Sequence, residues 1–261
     1  MPETLQPENS TESNFEAYIQ AQCDIYNARV GSLTGYDCKA CLNKGYVKLV
    51  KGGYEIMREC ECKPIRDTMR RIERSGLKRQ LELCRFDNFK TPNDWQEKIK
   101  EKAVRYVTEH DGWFYAGGQV GCGKTHLCTA IVGELIKQGK SARYMLWRDE
   151  IVAIKANVNN HSEYVGAMDG LKKAEVLYID DFFKTEHGTK PTAADVNVAF
   201  EIINFRYNDP ELITVISSEK TLNDLLDIDE AVGSRIFQKS QKYCAIVNKS
   251  NDKNYRMKGI L

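Results

Sequence analysis

Several things are scarce in these 261 residues. Neither sign of charge is in excess: Lys and Arg number 38 against 37 Asp and Glu, for a formal net charge of +1 at pH 7. That balance excludes a global field pulling the chain onto nucleic acid or an anionic membrane, so any such contact has to come from a local patch. No apolar run approaches the roughly 20 residues a membrane-spanning helix needs. The start of the chain lacks the basic stretch and apolar core of a secretory leader. These absences predict a soluble, cytoplasmic protein without a membrane partner. Repeats with a period of about 20 to 50 residues are missing too, which excludes solenoids and propellers.

Cysteine, by contrast, is plentiful. Nine is an odd count for a disulfide framework, and four of them fall at metal-ligand spacing, which favours a reducing compartment. Cys38 and Cys41 form C-x2-C; after a gap of eighteen residues, Cys60 and Cys62 form C-x-C. Two close thiolate pairs, separated by a turn-rich stretch with Gly45, Gly52 and Gly53, can wrap one tetrahedral ion. With four protein ligands no coordination position stays open, so the ion is structural. Zinc is the expected metal, with an iron–sulfur cluster or unligated thiols as the alternatives. Gly45, in CKACLNKG, can take a positive φ and turn backbone amides toward the sulfurs. So small a module has little core, and metal binding is expected to supply much of its folding free energy. Cys23, Cys84, Cys122, Cys128 and Cys244 read as small apolar residues.

Residues 1–13 are polar and acidic, carry two prolines and read as a disordered tail. Ser13 and Glu16 fit a capping box for a helix with Phe15, Ile19, Tyr26 and Val30 at helical spacing. Its apolar face either packs on the cysteine module, which together with the helix occupies 14–63, or docks a partner. Residues 64–82 read as a basic linker helix: from Lys63 to Gln80, seven Lys or Arg stand against two acids. Such a run is ordinarily a solvated face, and phosphate-backbone contact is the sharper alternative. Over 83–261 the segments WFYAGG, ARYMLW, EVLYIDD, LITVISS and KYCAIVN alternate with longer helical stretches. The fold class is α/β, a parallel sheet with crossover helices.

GGQVGCGKTH contains Gly118-x4-Gly123-Lys124-Thr125, the P-loop form, between a strand-like WFYA and a helical HLCTAIVGELIKQG that ends at Gly139. Glycines let the backbone curl so that amides and the helix N-terminus face phosphates. The nucleotide-binding set is Gly118, Gly121, Cys122, Gly123, Lys124, Thr125 and His126. Lys124 is expected to neutralise the β and γ phosphates and Thr125 to offer its hydroxyl to Mg²⁺. The apolar Val176–Ile179 ends in Asp180 and Asp181. Asp180 is the candidate magnesium-side carboxylate, and Asp181 the candidate for orienting or deprotonating the attacking water. Without a P-loop the same pair would read as a solvated turn.

Taken together, RFDNF, GCGKTHL, LYIDDFFK, INFRYND, TVISSE, DEAVGSRI and NYRMK resemble the bacterial replicative-helicase loaders of the DnaC and DnaI type. Phage-encoded relatives and the ATPase subunit of IstB-like transposition systems share these motifs, and all belong to the AAA+ class. The resemblance runs from about Leu83 to the C-terminus. It implies an AAA+ domain with ATP and Mg²⁺ as cofactors, which the small zinc-ribbon-like module read from the cysteine spacing, with its Zn²⁺, precedes. It also implies a slow ATPase activated by oligomerisation or single-stranded DNA, in which Arg235 of GSRI acts as an arginine finger on a neighbouring copy. Ser218, with Glu219 after it, stands where the class presents a polar sensor, commonly Asn. Arg206 either follows the group's pattern or pairs with Asp209 or Glu201 on the helix surface. Phe86, Asp87 and Phe89 stand where adenine is often enclosed, with core packing an equal explanation. Arg256 receives no role. Residues 148–172, with Lys155, Asn157, Asn159 and His161, correspond to the helical insertion that faces DNA in initiator-type relatives.

The implied function is ATP-dependent loading of a DnaB-type replicative helicase onto single-stranded DNA, with the N-terminal module gripping the helicase and copies associating through the ATP site. The alternatives are an IstB-like ATPase regulating transposition and an ATP-gated adaptor without turnover. Asp181 keeps the adaptor open, because many relatives carry the longer Glu there.

Overall fold

A computed structural model of the chain describes residues 10–74, 78–186, 189–250 and 253–255. The backbone divides into two compact units, Met1–Met69 and Arg70–Leu261.

The first unit contains helix α1 (Ser10–Ala28), strands β1 (Tyr46–Lys51) and β2 (Tyr54–Glu59), and the first turns of α2 (Cys62–Arg74). The strands form an antiparallel hairpin whose last pair is Lys51 with Tyr54. Gly52 and Gly53 make the two-residue turn, and both need positive φ, at 60° and 77°. Helix α1 lies along β1, burying Cys23 completely. The Asn27 side chain imitates a strand neighbour, donating to the Lys48 carbonyl at 2.8 Å and accepting from the Lys48 amide at 3.0 Å. Two expected boundaries move. Helix α1 starts at Ser10, not at a Ser13 cap. Residues 1–9 of the expected tail lie outside the described residues. Helix α2 starts inside the cysteine module: it has to deliver Cys62 to the cluster, and it buries Ile65, Arg66 and Thr68.

The second unit has α3 (Lys78–Leu83), α4 (Asp94–Glu109), β3 (Phe114–Gly118), α5 (Lys124–Lys137), β4 (Ala142–Leu146), α6 (Trp147–Ala156) and α7 (His161–Lys172). There follow β5 (Val176–Asp180), α8 (Ala193–Tyr207), β6 (Ile213–Ser217), α9 (Leu222–Ile228), α10 (Glu230–Ser240) and β7 (Cys244–Val247). The strands form one parallel sheet in the order β4-β5-β6-β3-β7. Every residue of β3, β5 and β6 is buried; helices cover both faces, so these strands read as unbroken apolar runs. Parallel strands bring their C-terminal ends to a single edge of the sheet, where ligands of such folds bind. Because β6 lies between β3 and β5, its end separates the P-loop from Asp180. Beneath that edge Trp147 packs edge-on against Phe182 and Phe183, at centroid distances of 4.8 and 5.3 Å. Among the described residues no helix is long and apolar enough to cross a membrane.

Candidate nucleotide site and cysteine cluster

The loop between β3 and α5 is held in its curl by three glycines with φ of 97° (Gly118), 71° (Gly121) and 98° (Gly123). A Cβ on Gly118 would meet the Val247 carbonyl oxygen at 2.2 Å. Strand β7 braces the loop from that side: Gly118 pairs with Val247, the Gln119 amide donates to Val247 O at 2.8 Å, and farther on the Tyr255 amide donates to Gly121 O at 3.0 Å. Helix α5 begins at Lys124, so its free amides face the loop. The buried Lys124 Nζ sits inside the curl, donating to the carbonyls of Gly118 at 3.0 Å and Gln119 at 2.7 Å.

Asp180 ends β5, 4% exposed, and collects four donors. Thr125 Oγ1 donates to its Oδ1 at 3.2 Å, as does the Asp181 amide, and the Ser217 hydroxyl donates to the same oxygen. Tyr144 OH donates to Oδ2 at 3.2 Å. Burial, with Asp180 adding to it, pushes the Tyr144 phenol up, so it remains a donor. Asp181 takes a left-handed φ of 53° and turns Oδ2 toward Lys184 Nζ, 2.8 Å away; Lys184 also pairs with Glu219 at 3.0 Å. Burial opposes the Lys184 charge, but the two carboxylates outweigh it and raise its pKa.

These groups converge on one cavity of about 300 Å³, lined by Gly121, Gly123, Lys124, Thr125, His126, Asp181, Lys184, Glu219, Cys84 and Val120. Cys122 turns inward and is 1% exposed. His126 packs edge-on against Phe89 at 5.3 Å, and its Nε2 lies 3.0 Å from the Arg85 carbonyl. Phe89 is itself buried against Gly123, whereas Phe86 is half-buried and Asp87 exposed. Phe89 thus combines packing with a place in the wall of an adjoining cavity shared with Gln96, Cys122, His126 and Tyr255.

Three sequence expectations need correction. Ser218 does not face the cavity. It is fully buried, its hydroxyl donating to the Phe182 carbonyl at 2.6 Å and accepting from the Lys220 amide at 3.0 Å. Successive strand positions point to opposite faces, and Ser217 is the one that reaches Asp180. Arg206 makes no surface pair: it is fully buried, donating to Thr214 Oγ1 and to the carbonyls of Leu171, Lys172, Ala174 and Ile213 at 2.6 to 3.3 Å. It thereby caps the end of α7, and burial pulls its pKa down to about 10. Lys155, in the expected DNA-facing segment, is committed to Asp195 at 2.7 Å, while Asn157 is half-buried and Asn159 and His161 are exposed. Arg235 lies on α10, its guanidinium held by Asn204 and the Ala231 carbonyl and resting on the rings of Phe200 and Tyr207. None of these partners lines the loop cavity. Arg256 lies outside the described residues.

Ser217, Tyr144 and Lys184 were missed. Period-two alternation into LITVISS could have found Ser217. Tyr144 depends on the pairing of β4 with β5, and Lys184 on a turn geometry that residue spacing does not encode.

In the first unit, the Sγ atoms of Cys38 and Cys60 lie 3.7 Å apart and those of Cys41 and Cys62 3.5 Å, with all four within 4.8 Å of one another. Sulfurs at the corners of a tetrahedron around zinc are separated by about 3.8 Å, so the cluster fits that ion. Gly45, at φ 82°, aims its amide at Cys41 Sγ from 3.3 Å. Burial opposes ionisation of Cys41, but that amide and the neighbouring thiols lower its pKa; burial raises those of Cys60 and Cys62. Arg66 ties α2 to the first cysteine pair, donating to Thr34 O, Tyr36 O and Asn43 Oδ1, which also accepts from the Cys38 amide.

Comparison with known proteins places this geometry. The IstB-like ATP binding protein family matches residues 45–260. The uncharacterized protein YqaM of Bacillus subtilis (strain 168) is 36% identical over 203 residues, 73% of this chain and 63% of that one. The replicative helicase loader DnaC of Escherichia coli (strain K12) is 32% identical over 116 residues, 43% of this chain and 47% of its own. The chain thus spans less than two thirds of either relative. The crystal structure of the DnaC helicase loader superposes with a TM-score of 0.54 at 18% identity, covering 66% of this chain and 99% of that one, which establishes a shared fold. With its P-loop, its Asp180 strand and its five-stranded parallel sheet, the chain belongs to the IstB-like ATP-binding protein family of the AAA+ class.

Proposed function

We propose that the chain is a helicase loader, which uses ATP to place a DnaB-type replicative helicase on single-stranded DNA. The convergence of Lys124, Thr125, Asp180 and Asp181 on one loop edge carries this reading. Lys124 and the loop amides would hold the phosphates, while Thr125 and Asp180 would hold Mg²⁺, which neutralises charge between the β and γ phosphates. Asp181 would orient the attacking water. Arg235, none of whose partners lines the loop cavity, is read as acting on the ATP of a neighbouring copy, so that complete turnover requires self-association.

The two units divide the labour. The cysteine module is read as a structural zinc site that gives α1 a platform. Phe15, Tyr18 and Ile25 are each at least half exposed and fall on one side of that helix, a surface suited to an apolar groove on the helicase. Similarity to a protein named as a replicative helicase loader supports the same assignment.

The test is co-purification with a DnaB-type helicase together with helicase loading on single-stranded DNA, both with ATP. Lys124→Ala should abolish ATP-dependent DNA binding. A purified chain that neither co-elutes with the helicase nor promotes its loading would overturn the reading; capture of a transposase on duplex DNA would move it to the transposition branch. One observation favours an ATP-gated adaptor as second reading: Asp181 is shorter than Glu and tied to Lys184. Steady-state phosphate release with and without single-stranded DNA separates the two.

A further inference from the structure

The DDFFK stretch ends in a cation, Lys184, at the mouth of the loop cavity. Lys184 shares the loop cavity with Lys124 and Thr125, yet in the structure its ammonium lies between two carboxylates, Asp181 at 2.8 Å and Glu219 at 3.0 Å. That position is built. Asp181 and Phe183, both non-glycine, take left-handed φ of 53° and 56°, and the Lys184 amide closes the turn on the Asp181 carbonyl at 2.9 Å. Such residues persist only where the surroundings fix them. Here Phe182 and Phe183 are sunk against Trp147, and the Phe182 amide donates to Ser217 O at 2.8 Å. Two buried rings and two unfavourable torsions thus present one lysine to the mouth of the cavity.

We propose that Lys184 senses the terminal phosphate of a nucleoside triphosphate, leaving Asp181 and Glu219 to bind it. This rests on the reading that the cavity takes ATP. The exchange follows from the charges. All three side chains are about one-quarter to one-third exposed, and ion pairs that solvent reaches are weak. A terminal phosphate beside Lys124 and Thr125 offers an ammonium a more highly charged partner with several acceptor oxygens. The phosphate's charge also repels both carboxylates, which loosens the old pairs as the new one forms. Asp181 is then released only when a triphosphate is present, so the group assigned to the attacking water stays engaged when the site holds a diphosphate. Lys184 is in this account a binding residue for the phosphate and a positioning residue for Asp181.

The experiment is calorimetric titration of the full chain with Mg·ATP and, separately, Mg·ADP. Lys184→Met should weaken ATP binding about tenfold and leave ADP binding unchanged, while Lys184→Arg should keep most of the wild-type preference. Glu219→Gln removes one competitor and should tighten ATP about threefold, again without effect on ADP; a gain of affinity cannot arise from misfolding. An unchanged ATP-to-ADP ratio in both Lys184→Met and Glu219→Gln would sink the proposal while leaving the nucleotide reading intact. Failure of the wild-type chain to bind either nucleotide would overturn both.

Discussion

Thr125 Oγ1 and Asp180 Oδ1, from residues 55 positions apart, meet at 3.2 Å across the end of the intervening strand β6. The contact aims a hydroxyl and a carboxylate at the same point before any cation is considered. Ser217 and Tyr144 fix the carboxylate's remaining freedom. Asp180→Asn keeps the shape and removes the charge. In the presence of Mg²⁺ its ATP affinity should fall at least about tenfold, while affinity measured in EDTA should match wild type. Equal losses in both conditions would mean that Asp180 serves the loop's shape and no metal.

Arg206 is expected to dominate stability far from the chemistry. Its guanidinium supplies the carbonyls that end α7 and one that begins β6. Truncation to Met leaves those buried acceptors unpaired, at a cost of about 3 kcal/mol in urea unfolding. Lys172→Ala breaks a partly exposed pair with Glu201 and should cost no more than about 0.5 kcal/mol.

The acid limb of the stability curve should depend on Asp195. Its carboxylate accepts from the Thr192 amide at 2.8 Å and from Lys155 at 2.7 Å, capping α8. Burial opposes its charge, but those contacts outweigh burial and hold the carboxyl below its ordinary value. Its contribution is therefore complete above the unfolded carboxyl's pKa of about 4 and is lost as pH falls through the lower folded value. Asp195→Asn should cost about 1 kcal/mol at pH 7 and flatten the loss of stability below about pH 4. Thermal melts at pH 7 and in the acid range give both quantities.

Metal analysis of the purified chain should find one zinc per molecule. A strong chelator should then expose residues 10–69 to protease, because thiolate ligation replaces the core this unit lacks. ATP binding by the second unit should persist. Proteolytic resistance that survives complete removal of metal would show that the cysteine module folds unaided.

Much of this arrangement was legible in the sequence, for reasons that are mostly local. Strands buried on both faces must be continuously apolar, so WFYAGG and VLYID declared themselves. Glycines at positive φ mark the phosphate loop, and paired thiols mark the cluster. Contacts set by strand order were not legible. That β6 lies beside Asp180 at all follows from its place between β3 and β5, while alternation along the strand decides that Ser217 and not Ser218 reaches that carboxylate. A lone arginine in INFRYND looks like a surface cation until α7 is seen ending, and β6 beginning, against it. Lys184 depended on the left-handed turn at Asp181, a conformation that neither Asp nor Phe announces.

The bracing of the phosphate loop by β7 sets an order of events during synthesis. Gly118 leaves the ribosome well before the residues that brace its loop, Val247 and the Tyr255 that holds Gly121. Domains fold as they emerge, N-terminal first. The cysteine module can therefore take up metal and present α1 while the loop is still open. If the module grips the helicase as proposed, a nascent chain would be competent to meet that partner before it is competent to hold ATP, and premature termination anywhere before Val247 would leave a binder that ATP does not switch.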